Sequence, residues 1–415
     1  MSRAAELAPR DAAIEIARTL SQSGHTAYLA GGCVRDELLG LVPKDFDVAT
    51  SATPDEVKAI WPKARGVGEA FGVMLVRCGG RTIEVATFRE DLEYVDGRRP
   101  SGIRFADARA DALRRDFTIN GLFRDPASGA VVDFVGGEAD LRARLVRAIG
   151  DPHERIREDR LRMLRAVRFT ARLGFALDPA TADAVRSHAD ELGSVSAERL
   201  GDEIRRMLAH PARAVAARLI EELGLDRALF AHRATPHRWQ RLEGLGAGAE
   251  PAVALAAWWL DRRDDARSVV RATSAEIADA AGGLRSRLAL SNHESAAFLE
   301  LLGRREELLS GFDALSKSAQ VRIVARRGFD EAIAVLSGEA PAEAARFLRR
   351  ADEICPDRRL PAPMVDGNDL AAAGLRPGPV FRGILDAALD RQIEVGFADR
   401  AEALGFALAL AGRSV

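Results

Sequence analysis

The sequence predicts an α+β fold: an N-terminal head with a small mixed sheet, followed by an all-helical neck, body and tail. Three observations predict it. Short apolar strand patterns are confined to the first third of the chain, and from about Arg155 leucine and alanine recur at helical spacing almost to the end. The composition, 47% hydrophobic, 29% charged and 6% aromatic, is that of a globular protein. With 415 residues the chain has room for two to four folded units, at roughly 100 to 200 residues each.

The elements follow in order. An amphipathic helix over Asp11 to Ser23 leads into a short strand, Ala27 to Ala30, and Gly31-Gly32 opens a helix that runs through Leu39. A second strand spans Phe46 to Ala49. Thr53 as cap, Pro54 at the first helical position and Glu56 three residues after the cap then mark a helix start. Val73 to Arg77 and Thr82 to Thr87 read as strands joined by a hairpin at Cys78-Gly79-Gly80-Arg81. Arg89 to Arg104, rich in charge and carrying Gly97, Pro100 and Gly102, reads as a long loop, and loops of that length are usually functional or disordered. Beyond it helices are expected at Arg155 to Leu173, Ala180 to Leu192, Ala197 to Ala209 and Arg213 to Glu222, and strand signals vanish. A Pro/Gly-rich stretch, Cys355 to Gly367, marks a boundary before a last helical segment. The expected division is 1–150, 151–210, 211–355 and 356–415.

Composition narrows the function. The longest uninterrupted apolar stretch, Ala252 to Leu260, is far shorter than the roughly 20 residues that cross a bilayer, and the first residues carry acids where a secretion signal has its apolar core. A cytoplasmic protein without membrane contact is expected. Cys33, Cys78 and Cys355 are too few and too far apart for a disulfide framework or a zinc site. The net charge of -2 leaves no global basic footprint, so a nucleic-acid partner must be held by a local patch. Only Lys44, Lys58, Lys63 and Lys317 are lysines, leaving 56 arginines, the better bidentate partner for phosphate. Between Arg142 and Arg172 ten arginines face four acids, a local balance of +6.

Several segments carry possible chemistry. In Lys44-Asp45-Phe46-Asp47 two carboxylates at i and i+2 of a strand point to one face. They are either exposed acids at a strand edge or the oxygen ligands of a hard divalent cation such as magnesium or manganese. Glu84, on the polar face of its strand, either completes such a set or is an ordinary solvent-facing residue. The run from strand into Gly31-Gly32 at a helix start leaves bare backbone N–H groups, with Arg35 on the first turn: an anion cradle, or a packing turn. No Gly-Lys-Ser/Thr occurs, which excludes a Walker-type loop, and Gly66-Val67-Gly68-Glu69-Ala70-Phe71-Gly72 fails the dinucleotide fingerprint in spacing and context. Arg114-Arg115-Asp116-Phe117-Thr118-Ile119-Asn120 groups donors and acceptors suited to phosphates and ribose hydroxyls, or is a solvated cap. On the helix expected from Arg155, Glu158, Asp159, Arg162 and Arg165 share one stripe, with Arg168 further round. They form either a salt-bridged face or a set of fixed donors and acceptors for the edge of a nucleobase.

In this order the segments resemble the class II tRNA nucleotidyltransferase and bacterial poly(A) polymerase family of the polymerase β-like nucleotidyltransferases. Gly31-Gly32-x-Val34-Arg35-Asp36 with Asp45-x-Asp47 resembles its head motif, and Arg114 to Asn120 its ribose-contacting motif. Asp133 and Gly136-Gly137 through Asp140-Leu141 resemble its connecting motif. Glu158-Asp159-x-x-Arg162 followed by Arg165-Ala166-x-Arg168-Phe169 resembles its base-reading motif. The resemblance covers Tyr28 to Leu208 and, more loosely, Asp366 to Leu370 and Gly378-Pro379. It implies a nucleotidyltransferase head over 1–150, a neck for base recognition over 151–210, a body over 211–355 and a tRNA-binding tail over 356–415.

The implied activity is addition of C, C and A to the 3' end of tRNA from CTP and ATP. Asp45 and Asp47 would bind two magnesium ions, with Glu84 beside them. Gly31, Gly32, Arg35, Arg115, Asp116, Asn120, Arg165 and Arg168 would surround the nucleotide, and Glu158, Asp159 and Arg162 its base. Departures from the family pattern are Cys33, Gly121 in place of a usual alanine, and Arg160 in place of a common proline. No His-Asp dipeptide signals the phosphohydrolase domain of some relatives, and no protein partner is inferable. The rivals are a poly(A) polymerase, whose Gly-Arg-Arg-Phe element is replaced here by Gly68-Glu69-Ala70-Phe71, a CC-only or A-only enzyme, and a catalytically silent RNA-binding relative.

Overall fold

A computed structural model describes residues 6–67, 71–92, 102–230, 239–263 and 271–412. The chain divides into two compact units, with the division between residues 233 and 234.

In the first unit Pro9 sits at the start of α1 (Pro9–Gln22), Asp11 lies in its first turn, and Ala12, Ala13, Ile16, Ala17 and Leu20 form its buried face. β1 (Ala27–Ala30), α2 (Gly32–Leu38) and β2 (Asp47–Thr50) follow. In α3 (Pro54–Ile60) Thr53 and Glu56 close a reciprocal capping box, as their spacing predicts. β3 (Arg65–Gly66), β4 (Val73–Cys78) and β5 (Arg81–Thr87) come next, the last two joined as the expected hairpin. After α4 (Ala108–Leu113) a 3-10 turn at Thr118–Asn120 precedes β8 (Phe123–Arg124) and β9 (Val131–Val132). The intervening β6 (Arg89–Asp91) and β7 (Ile103–Phe105) pair with each other as a separate ribbon.

The seven strands β3-β4-β5-β2-β1-β8-β9 form one mixed sheet. Every neighbouring pair is antiparallel except β2 with β5, which the α3 crossover makes parallel. One cluster on this sheet centres on Phe88, whose ring lies 6.1 Å from Tyr28 and 5.9 Å from Phe123.

The helical remainder of the unit comprises α5 (Gly137–Ala143), α6 (Pro152–Glu158), α7 (Arg162–Leu173), α8 (Pro179–His188), α9 (Ala197–Leu208) and α10 (Arg213–Glu222). In the second unit Pro251–Asp261 is buried on all sides, as a helix apolar all round must be. Further helices include Ser274–Leu288, Asn292–Leu309 and Pro341–Ile354. The stretch 355–366 has no regular element, and Val365 at its end joins Leu370, Ala403 and Ala407 in a cluster of their own. No helix among the described residues is long and apolar enough to cross a membrane.

Four expectations are corrected. The second strand begins at Asp47, not Phe46, because its partner β1 ends at Ala30, where Gly31 turns the chain away, so Asp45 lies just before the strand. The segment Arg89 to Arg104 is not all loop, since its ends pair as β6 and β7; residues 93–101 lie outside the described residues. One strand does recur after Arg155, since β11 (Ala176–Leu177) pairs in parallel with the preceding β10 (Leu145–Val146). The helix expected over Arg155 to Leu173 is two helices, α6 and α7, broken at Asp159, whose backbone is extended.

Phe88→Ala is expected to lower stability by about 3–5 kcal/mol, because a 1%-exposed ring is replaced by a cavity. The urea midpoint of the full chain measures it.

Candidate active site

β1 runs into Gly31, which adopts φ +71°, and α2 begins at the next residue. A side chain at Gly31 would be strained by this backbone and would place its Cβ 2.9 Å from Nη1 of Arg115. The turn therefore holds bare backbone against a guanidinium. Arg35, one turn into α2 and 2% exposed, donates Nε and Nη2 to Oδ1 of Asp36 at 2.8 and 2.6 Å. Its Nη1 donates to Oδ1 of Asn120 at 2.5 Å. Nδ2 of Asn120 donates to Oδ1 of Asp116 at 3.0 Å, so the guanidinium and the carboxylate together fix which way the amide points. Oδ2 of Asp116 accepts from Nε and Nη2 of Arg165 at 2.8 and 2.6 Å, and Oδ2 of Asp36 accepts from Arg172 at 2.8 Å. The result is a continuous buried relay from Arg172 through Asp36, Arg35, Asn120 and Asp116 to Arg165.

Burial works against the charge on Asp116, but the Arg165 guanidinium and the donors Asn120 and Phe117 hold its pKa down to about 2. Arg115 donates Nε and Nη2 to Oδ2 of Asp111 at 3.2 and 2.9 Å and Nη1 to the carbonyl of Asn120, with its guanidinium over the Phe123 ring. Gly121 has a packing role: a Cβ there would lie 2.6 Å from Cγ2 of Val135.

The break between α6 and α7 is built by side chains. Oδ1 of Asp159 accepts from the Leu161 N–H, and both its oxygens accept from Nη2 of Arg199, at 3.0 and 2.8 Å. Arg162 donates to Glu158 at 2.6 Å and to the carbonyls of Arg155, in α6, and Arg114, at the end of α4, at 2.9 and 3.1 Å. Glu158, Asp159 and Arg162 are therefore not on one helical stripe. Asp159 and Arg162 nevertheless reach the same cleft.

That cleft, about 680 Å³, falls within the usual size range of small-molecule sites. It gathers Gly31, Gly32, Arg35, Asp47, Arg115, Asp116, Asn120, Asp159, Arg162, Arg165 and Arg168. Asp45, Glu84 and Glu158 are not in its lining. Arg114, from the motif resembling the ribose-contacting one, lines it too, as do Arg89, Arg172 and Arg206, which sequence reasoning missed as site residues. Arg172 was findable, four residues after Arg168 on one helix. Arg206 and the Arg199 that holds Asp159 come from α9, and no local pattern ties them to the site.

The Asp47 carboxylate makes no hydrogen bond or ion pair among the described residues. Burial raises its pKa to about 6, the Glu84 carboxylate across the β2–β5 pair and Asp45 add to the rise, and Arg115 opposes it. Crowded carboxylate oxygens with no protein donor suit a hard divalent cation, and magnesium is commonly held by one or two carboxylates plus substrate phosphates. No three His, Cys, Asp or Glu residues among those described come together as a preformed metal site, so Glu84 is not part of a ready three-carboxylate set. The buried Cys33 thiol is pushed up to about 11 by burial, with Asp47 and Glu37 contributing, and donates to the Ala30 carbonyl. It is an inert packing residue.

Comparison with known proteins places the chain in a family. The family described as poly(A) polymerase head domain matches residues 27–147, and that described as probable RNA and SrmB-binding site of polymerase A matches 174–235. The CCA-adding enzyme of Geobacillus thermodenitrificans is 38% identical over 316 residues, 71% of this chain and 78% of the relative. The chain belongs to the CCA-adding enzyme family. The Geobacillus stearothermophilus member is 41% identical over 262 residues, 62% of this chain and 61% of its own. The crystal structure of the Bacillus stearothermophilus CCA-adding enzyme in complex with CTP matches with a TM-score of 0.79 at 27% identity, covering 98% of this chain and 99% of that one. The predicted α+β head followed by helices is thus the fold of this family.

Above about pH 6 native Asp47 is ionised against its surroundings, whereas the unfolded chain carries that charge at no such cost. Asp47→Asn is therefore expected to stabilise the protein in chelator at about pH 8 by about 1–2 kcal/mol, with the gain gone below about pH 4. Denaturant midpoints at the two pH values check the sign.

Proposed function

We propose that this protein adds C, C and A to the 3' end of tRNA from CTP and ATP, releasing pyrophosphate. The observation that carries the reading is a single cleft lined by a strand carboxylate, Asp47, a bare Gly31-Gly32 turn, a set of arginines and the Asp159/Arg162 pair. Cytosine and adenine each present an exocyclic amino donor beside a ring nitrogen acceptor, whereas uracil and guanine present an oxygen acceptor there. A carboxylate that accepts and a guanidinium that donates complement the first two and reject the others. One pair of side chains thus serves both CTP and ATP without a nucleic-acid template.

The rest of the cleft suits a triphosphate. Gly31 and Gly32 let phosphate oxygens approach the backbone, and Arg115, Arg165 and Arg168 neutralise and orient them. Asp116 and Asn120 hold Arg165 and Arg35 in place and offer polar atoms toward the ribose. Asp45 and Asp47 would hold two magnesium ions together with those phosphates, with Glu84 adding negative charge behind them. Bound there, the ions supply charge that lowers the pKa of the RNA 3'-hydroxyl and offsets the charge on the departing pyrophosphate. The hydroxyl then attacks the α-phosphate in line. In this reading residues 1–150 form the catalytic head, 151–210 the neck, 211–355 the body and 356–415 the tRNA-binding tail, and the enzyme works in the cytoplasm.

Asp45→Ala and Asp47→Ala are each expected to abolish nucleotide incorporation while leaving tRNA binding within about twofold, because one carboxylate carries the chemistry and not the RNA grip. Turnover retained in both would sink the metal assignment. Incubation with CTP, ATP and magnesium of tRNA transcripts ending before CCA, after C and after CC, beside an oligo(A) RNA, tests the whole reading. CCA on every transcript and none on oligo(A) is expected. Long A tails on the oligomer would make it a poly(A) polymerase, a stop at CC or addition of A alone would make it half of a split activity, and no incorporation a silent relative.

A further inference from the structure

Behind the cleft, α9 turns one face toward the nucleotide-facing residues. Arg199 and Glu203 stand four residues apart and share that face. Arg199 holds both oxygens of Asp159. Glu203, 3% exposed, accepts from Nε of Arg168 at 2.5 Å, and Arg165 and Arg206 lie 3.8 and 3.6 Å from its Oε1. A single helical face thus touches the acidic member of the base-reading pair and the arginines beside it.

The need for each contact is physical. Asp159 stands in extended backbone at the end of α6, where no helix packing sets its side-chain direction. A carboxylate that reads a base edge must be held to within about half an ångström. The Arg199 ion pair and the Leu161 N–H fix it with three hydrogen bonds and leave an acceptor site on Oδ2 for a base amino group, since an ionised carboxylate has about four acceptor sites. Arg165 and Arg168 both lie against the Phe169 ring, at 5.5 and 4.3 Å, so they repel each other in a partly desolvated space. Glu203 compensates that repulsion and, by taking Nε of Arg168, leaves its four terminal N–H groups for the cleft it lines.

We propose that Arg199 and Glu203 are positioning residues, through which α9 aims the base-reading carboxylate by one side chain and sets the triphosphate-facing arginines by the other. This rests on the reading of Asp159 as the base acceptor. The two roles predict different kinetics. Misaiming Asp159 weakens selection between bases, whereas releasing Arg168 and Arg165 weakens every nucleotide alike.

Steady-state kinetics of the full chain on tRNA transcripts, with CTP against UTP and ATP against GTP, separates them, with thermal midpoints recorded for each variant. Arg199→Ala is expected to lower both selectivity ratios in kcat/KM by roughly tenfold or more. Arg199→Lys is expected to recover part of the loss, because an ammonium still reaches one oxygen. Glu203→Gln is expected to raise KM for CTP and ATP by similar factors with both ratios unchanged. Equal loss for correct and incorrect nucleotides in Arg199→Ala, or no recovery in the lysine variant, would overturn the role of Arg199. Unchanged KM values or altered ratios in Glu203→Gln would overturn that of Glu203. Asp159→Ala distinguishes the two levels. If it keeps the ratios, base reading by Asp159 itself fails; if it loses them while Arg199→Ala keeps them, only the positioning inference fails.

Discussion

Nine arginines line one cleft, and the rest of the first unit is arranged around keeping that positive charge in place. Unpaired guanidinium groups at such density would repel one another, and those out of water would each cost several kcal/mol. The compensation comes from buried acids drawn from separate elements: Asp36 from α2, Asp111 from α4, Asp116 from the turn before the 3-10 segment, and Glu203 from α9. Asp36, Asp111 and Asp116 each take more than one donor, and Glu203 takes Arg168 with Arg165 and Arg206 close by, so the arginines are oriented as well as neutralised. The relay from Arg172 to Arg165 joins α2, the Asn120 turn and α7 into one polar core, and removing one member would strand its partners.

The break at Asp159 follows from the same constraint. Glutamate, arginine and leucine around it are good helix formers, so local propensity favours continuation. The continuous helix is given up because Arg162 turns inward to the carbonyls of Arg155 and Arg114 and the Asp159 carboxylate caps the Leu161 N–H. Two residues that a regular helix would leave on a fixed stripe are thereby free to face the cleft as acceptor and donor. The departure from regular structure falls at residues that line the cleft, where special backbone is expected to collect.

On the sheet the arrangement is sparer. β1 contributes only four residues, and its end at Gly31 decides where β2 stops pairing. Asp47 is thereby tied to the ladder opposite Glu84, while Asp45 stays in the exposed turn before it. One carboxylate is rigid and crowded, the other is free to adjust. That asymmetry suits a site whose remaining ligands arrive with the nucleotide.

Much was legible in the sequence because it was local. The Thr53 to Glu56 capping box, the hairpin at Gly79-Gly80 and the glycine turn before Arg35 depend on neighbours a few residues apart and formed as expected, and the helical period after Arg155 formed with a break at Asp159. The ordered motifs from Gly31 to Phe169 also named many of the residues that line the cleft, together with Asp45 and Glu158, which do not line it. The convergence was not legible: Arg199 and Glu203 lie in an ordinary amphipathic helix, Arg206 and Arg89 in no motif, and the pairing of β10 with β11 joins two-residue segments with no strand signal of their own. Periodicity and propensity record what a residue prefers beside its chain neighbours. Which distant buried charges meet is decided by burial itself, as desolvation brings Arg165 to Asp116, Arg168 to Glu203 and Arg172 to Asp36, and only the tertiary structure makes that choice.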